Sequence, residues 1–154
     1  MSRTLLMSFI CFLLSSMAAE TLSAQSPEVL FKKVTQQAAT SFVTVTYTIE
    51  SSGKGMEFSD SGTIQAQDKM WHLDGGYVEI FTDEDATWVL YAESKEAYIE
   101  PAWTLDDLMS FYSSASSSGA RLEIKLLSTH LSEKKPAAFF TPSLSQDWVV
   151  IDIR

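Results

Sequence analysis

Between Thr40 and Pro101 the chain alternates apolar and polar residues with a period of two, in short runs separated by turn-forming residues. Val43, Val45, Tyr47 and Ile49 fall on one side of an extended segment, and Thr44, Thr46 and Thr48 on the other. That is the pattern of a half-buried strand. Met56 to Gln67 reads as a second strand, in which Gly62 marks a bulge or a close backbone approach. Lys69–Asp74 and Tyr77–Thr82 flank Asp74-Gly75-Gly76, a hairpin signal. After the acidic turn Asp83-Glu84-Asp85, runs at Thr87–Ala92 and Glu96–Glu100 complete a series of hairpins that predicts an antiparallel meander. The series carries more large apolar and aromatic side chain than a sheet on one small core can bury. It needs a second layer or an apolar ligand.

Helical spacing flanks this sheet. Ser26 can cap a helix with Pro27 at its first position and Glu28 near its positive end. Val29, Leu30, Val34 and Ala38 then form an apolar stripe, with Phe31 near its edge. Thr104 and Asp107 resemble a capping box ahead of Leu105, Leu108, Met109 and Tyr112. Leu122, Ile124 and Leu126 alternate with charged residues, and Trp148–Ile153 predicts a final strand.

The N-terminus reads as an export signal. Arg3 precedes the apolar run Leu5–Met17, which is short for a membrane span, and Ala24 or Ala19 offers a cleavage site. A retained N-terminal anchor is the alternative. With residues 1–24 as a cleaved signal, residues 25–154 suit one domain. Cys11, the single cysteine, leaves with the signal, and so the remainder has no disulfide and no thiolate chemistry. The net charge of −9, without a Lys/Arg cluster, argues against nucleic acid or anionic lipid as a partner.

Reactive chemistry is sparse. His72 and His130 are the only histidines and stand far apart without a metal-ligand spacing; both read as structural. Asp83-Glu84-Asp85 lacks the spacing and glycine of a calcium loop and reads as a solvated turn. There is no nucleophile motif, phosphate-binding glycine loop or HExxH. The expectation is a protein that is not an enzyme and uses neither metal nor cofactor.

The order of several weak motifs resembles the LolA-like periplasmic lipoprotein carriers. These are the leader and helix, the alternating strand, Gly62-Thr63-Ile64, Lys69-Met70-Trp71 and Asp83 five residues before Trp88. The end is also similar, with Phe139-Phe140-Thr141-Pro142 and a closing run to Asp152 and Arg154. The resemblance covers roughly residues 26–100 and 120–154. It departs from the family in a short middle, between Pro101 and Arg121, and in having Asp68 and Lys69 where the best understood carriers place a lid-holding arginine. Lysine lacks the planar fork of that arginine.

The resemblance implies an α+β fold: a strongly curved antiparallel sheet, an incomplete barrel, with an N-terminal and a second short helix over its concave face. It implies a periplasmic monomer that takes lipoprotein acyl chains from an inner-membrane extractor to an outer-membrane acceptor. The cavity would be lined by Val43, Val45, Tyr47, Ile64, Trp71, Ile80, Trp88 and Ile99. Leu30, Val34, Leu108, Met109 and Tyr112 would form the lid. A lipid-sensing or protein-binding regulatory module on the same fold is the alternative.

Overall fold

The computed structural model describes residues 27–52, 57–108, 110 and 121–154. The expected signal at 1–24 lies outside the described residues, as do Met109 and Tyr112 of the expected lid. Helix α1 (Pro27–Ala38) is followed by strands β1 (Phe42–Ser52), β2 (Phe58–Gln67), β3 (Met70–Asp74), β4 (Glu79–Thr82), β5 (Ala86–Tyr91) and β6 (Glu96–Pro101). A helical turn at 105–108 comes next, then β7 (Arg121–Ser132), a 3-10 turn at Ala137–Phe140 and β8 (Val149–Asp152). Among the described residues no helix is long and apolar enough to cross a membrane.

The strands form one sheet in the order β7-β1-β2-β3-β4-β5-β6-β8. Strands β1 to β6 are a meander, and β7 pairs antiparallel with β1. The expectation of a wholly antiparallel sheet fails at β8, which runs parallel to β6. The cause is the connection. Residues 133–148 join β7 at one edge to β8 at the other, and enter β8 beside Glu96, where β6 begins. The fold is therefore α+β with a mixed sheet, open rather than closed into a barrel.

Register divides the side chains into two sets, because directly paired residues project to the same side. Val45, Ile64, Leu73, Ile80, Val89 and Tyr98 lie in one row across the sheet. Val43, Ala66, Trp71, Thr82 and Thr87 form the neighbouring row on that face. Thr44, Gln65, His72, Phe81, Trp88 and Ile99 form a row on the opposite face. A bulge between Thr46 and Tyr47 leaves Leu127 of β7 unpaired and exposed. It brings Leu126 and Ile124 opposite Tyr47 and Ile49, and both are buried.

Gly62 is a close-approach position rather than a bulge, since the β1–β2 register runs through it unbroken. A Cβ there would sit 2.1 Å from the Asp74 carbonyl oxygen and 2.9 Å from the Tyr47 hydroxyl. At Gly76 the corresponding clash, 2.6 Å, is with a carboxylate oxygen of Asp60 that can swing away. Gly62→Ala is therefore expected to cost about 3 kcal/mol in a denaturant melt, and Gly76→Ala distinctly less. Equal losses would remove the backbone contact as the reason.

Candidate functional site

The face carrying the Val43 and Val45 rows packs under α1. The helix buries Phe31, Val34 and Ala38 at i, i+3 and i+7, in one cluster with Val43, Val45, Tyr47, Ile49 and Ile64. The stripe is rotated from the expected one: Phe31 is 4% exposed and Val29 is 51% exposed. Centring the stripe on Leu30 put Phe31 at its edge, whereas the sheet receives the larger ring. A hollow between Phe31, Val34, Val45, Ile64 and Leu126 marks the line along which helix and sheet meet, and no water-sized sphere enters it. At the far end the N–H of Asp68 donates to the Ala38 carbonyl at 2.7 Å, and Lys134 donates to the Ala39 carbonyl. Lys69 is exposed in the turn between β2 and β3.

The second cover begins at Trp103. The Trp71 indole N–H donates to the Trp103 carbonyl at 3.1 Å, and the Trp103 N–H donates to the Thr87 hydroxyl at 2.8 Å. That hydroxyl also lies 3.0 Å from the Thr82 hydroxyl, in a fully buried pair. Trp71 thus holds the covering segment as well as lining the face beneath it. The next residues form the expected capping box. The Thr104 N–H and hydroxyl donate to Asp107 at 2.7 and 2.8 Å, and the Asp107 N–H returns a bond to the Thr104 oxygen. Trp103 before the cap and Leu108 four residues into the turn stand in the positions of a hydrophobic staple. Leu105 and Leu108 are buried in the α1 cluster, with Trp103 packed against it. The staple spacing was available in the sequence as a signal for Trp103, which sequence reasoning missed along with Thr82 and Thr87.

Of the expected cavity residues, Val43, Val45, Tyr47, Ile64, Trp71 and Ile80 belong to this cluster. Trp88 and Ile99 do not; both project to the opposite face. The four-residue turn between Thr82 and Thr87 is the reason. Asp83 accepts the N–H groups of Asp85 and Ala86 on one carboxylate oxygen, both at 2.8 Å, and donates its own N–H to the Ala86 carbonyl. This closure pairs Ile80 with Val89, which puts Val89 on the helix side and Trp88 beyond it. Of the expected lid residues, Val34 and Leu108 are in the cluster, while Leu30 is in α1 with its side chain outside the description.

The opposite face has its own cover, the 133–148 segment. Phe42, Met70 and Phe140 make a second buried cluster, with Phe139 edge-on to Phe42 at 5.4 Å. His72 lies at its margin, stacked on Phe81 with centroids 4.0 Å apart. Its Nδ1 is 3.1 Å from Gln65 and its Nε2 is 2.8 Å from Glu79. His130 is exposed on β7. The segment is tied at Gln67–Lys135, at Lys134–Asp68, at Thr141–Asp83 and at Lys95–Asp147.

No protein-family model matches the chain, and no curated protein matches it either.

Bonding to Thr104 holds the Asp107 carboxyl below its ordinary value. A carboxyl with a depressed folded pKa contributes stability above its unfolded pKa of about 3.9 and loses it as pH falls through the lower folded value. Titration followed by carboxyl NMR is expected to show Asp107 protonating below the usual aspartate range, and Thr104→Ala, which removes the hydroxyl but keeps the backbone N–H donor, is expected to move it only part of the way back. Thr87→Val removes the hydroxyl that accepts the Trp103 N–H and pairs with Thr82, and is expected to cost about 1–3 kcal/mol, read as a lowered melting temperature.

Proposed function

We propose that this protein is an exported carrier of acyl chains, which it receives between α1, the 103–110 segment and the sheet. The observation that carries the reading is how α1 is held. Its inner side contributes Phe31, Val34 and Ala38 to an apolar cluster shared with the sheet, and its C-terminal end is anchored where Asp68 and Lys134 bond to the carbonyls of Ala38 and Ala39. A helix held in this way can tilt about Ala38 and admit a chain where Phe31 and Val34 now pack. Exposing those two side chains costs roughly 1.5–3 kcal/mol each. A long acyl chain gains about 0.8 kcal/mol per buried CH₂, on the order of 10 kcal/mol in all before the cost of association. Uptake is then favourable yet tempered enough for release.

In this reading the sheet is curved, with the helical covers on its concave side, as in the LolA-like carriers. The cargo is the acyl moiety of lipoproteins, handed from an inner-membrane extractor to an outer-membrane acceptor by a periplasmic monomer. The work is done by apolar volume, without catalysis or metal. The closed hollow under α1 favours a second reading on the same fold, a regulatory module whose covers respond to lipid or to a protein without carrying cargo.

The test is titration with a fluorescent long-chain acyl probe, read by energy transfer from tryptophan. One saturable site is expected, with amide exchange in α1 rising as it fills. Val34→Glu is expected to weaken binding at least tenfold while the circular dichroism of the sheet persists. Absence of saturable binding in the unsubstituted protein would remove the carrier and leave the regulatory module.

A further inference from the structure

A different part of the sheet remains open. Toward the β8 edge, Val89, Tyr91, Ser94, Glu96, Tyr98 and Glu100 line an open hollow of about 390 Å³. The Tyr91 and Tyr98 rings stand at 85° with centroids 5.9 Å apart, forming a corner above the buried Val89. Glu96 accepts the Tyr98 hydroxyl at 3.3 Å and the Ser94 hydroxyl at 3.2 Å, which fixes its carboxylate beside the rings. The charge of Glu96 in turn raises the Tyr98 pKa above the ordinary tyrosine value, so that the hydroxyl stays a donor. Glu100 has no ionic partner among the described residues. A second hollow, of about 310 Å³, shares Tyr91 and Ser94 and adds Asp74, Glu79 and Glu93.

Neither hollow has a basic residue in its lining. Lys95 lies in the adjoining turn but is paired with Asp147. The chemistry that fits is a cation on an alkyl stem. Its head meets carboxylates and the negative faces of the two rings, and its methylenes lie on Val89 and the ring edges. We propose that this tyrosine–glutamate corner docks a lysine or arginine side chain from an extended segment of a partner protein. The net charge of −9 would steer such a segment toward the protein, and the corner would fix its register. Val89 and Tyr98 adjoin the apolar cluster, but the hollow is open without any movement of α1, and so the inference does not depend on acyl-chain binding.

The probe is a labelled nonapeptide of alternating lysine and serine, titrated into the purified protein by fluorescence anisotropy. Saturable binding that weakens with salt is expected. Glu96→Gln with Glu100→Gln is expected to weaken it about tenfold, and Tyr91→Ala about fivefold. Tyr91→Phe, which keeps the ring, is expected to bind as the parent does. Glu84→Gln with Glu133→Gln removes the same charge from exposed sites elsewhere and is expected to change binding less than twofold. Equal weakening by the two double variants would mean that net charge alone attracts the peptide, and would overturn the proposal. So would failure of the unsubstituted protein to bind, or displacement of bound peptide by phosphatidylcholine vesicles, which would assign the corner to a lipid headgroup. All the substituted side chains are at least partly exposed, and a preserved melting temperature separates loss of the site from loss of the fold.

Discussion

A single sheet with apolar rows on both faces has to be covered twice, and this requirement organises the molecule. A strand that is polar on one side can leave that side to water. Here Val45, Leu73 and Ile80 project one way, while Met70, Leu90 and Ile99 project the other, and all six are buried. Among the described residues, the covers are made from segments that are not strands. Helix α1 and the 103–110 segment take one face, and the 133–148 segment takes the other. The parallel strand β8 follows from the same need, because a segment that crosses from β7 to the far edge arrives there running with β6 rather than against it.

The two covers are held by different physics. The 133–148 segment is fixed by hydrogen bonds and ion pairs spread along its course, from Lys134 and Lys135 through Thr141 to Asp147, with Phe139 and Phe140 between them. On the other face, the Trp71–Trp103–Thr87 bonds and the Thr104–Asp107 box hold the start of the 103–110 segment. Helix α1 rests on Phe31, Val34 and Ala38 and is tethered near its end. Directional bonds fix a segment in one place, whereas apolar contact is satisfied by any apolar partner. In the proposed carrier reading, α1 is the element that exchanges its apolar contacts with the sheet for contacts with a ligand.

Much of this was legible in the sequence, because strand and turn chemistry are local. The strands lie where the period-two pattern put them, and the Thr104–Asp107 box caps the turn that its spacing indicated. What stayed hidden was parity. Alternation says that Trp88 and Leu90 share a face, but which face depends on how many residues the preceding turn holds and how that turn closes. The Asp83 closure fixes the count at Ile80–Val89, one residue away from the pairing that would turn Trp88 toward α1. The next hairpin, which joins Tyr91 to Glu96 and carries Lys95 at a φ of 53°, preserves that parity and sends Ile99 to the same side as Trp88. β8 was hidden for another reason. Its direction is set by where a long connection ends, and no local pattern records that.

The same parity sets where chemistry is available. Along β5 and β6 it turns Trp88, Leu90, Ala97 and Ile99 to one side and leaves Val89, Tyr91, Tyr98, Glu96 and Glu100 together on the other. A slip of one residue would bury Glu96 and Glu100 against the opposite apolar row, at a cost no partner there offsets. The observed register avoids this by giving the carboxylates the open end of the helix-covered face. That face is therefore divided along the strand order. From β1 to Thr87 and Val89 of β5 it is buried, whereas from Tyr91 across Glu96, Tyr98 and Glu100 it is aromatic, acidic and at least partly exposed. One fold thereby holds an apolar interior beside a charged docking surface, and the turn at Asp83 decides which residues each receives.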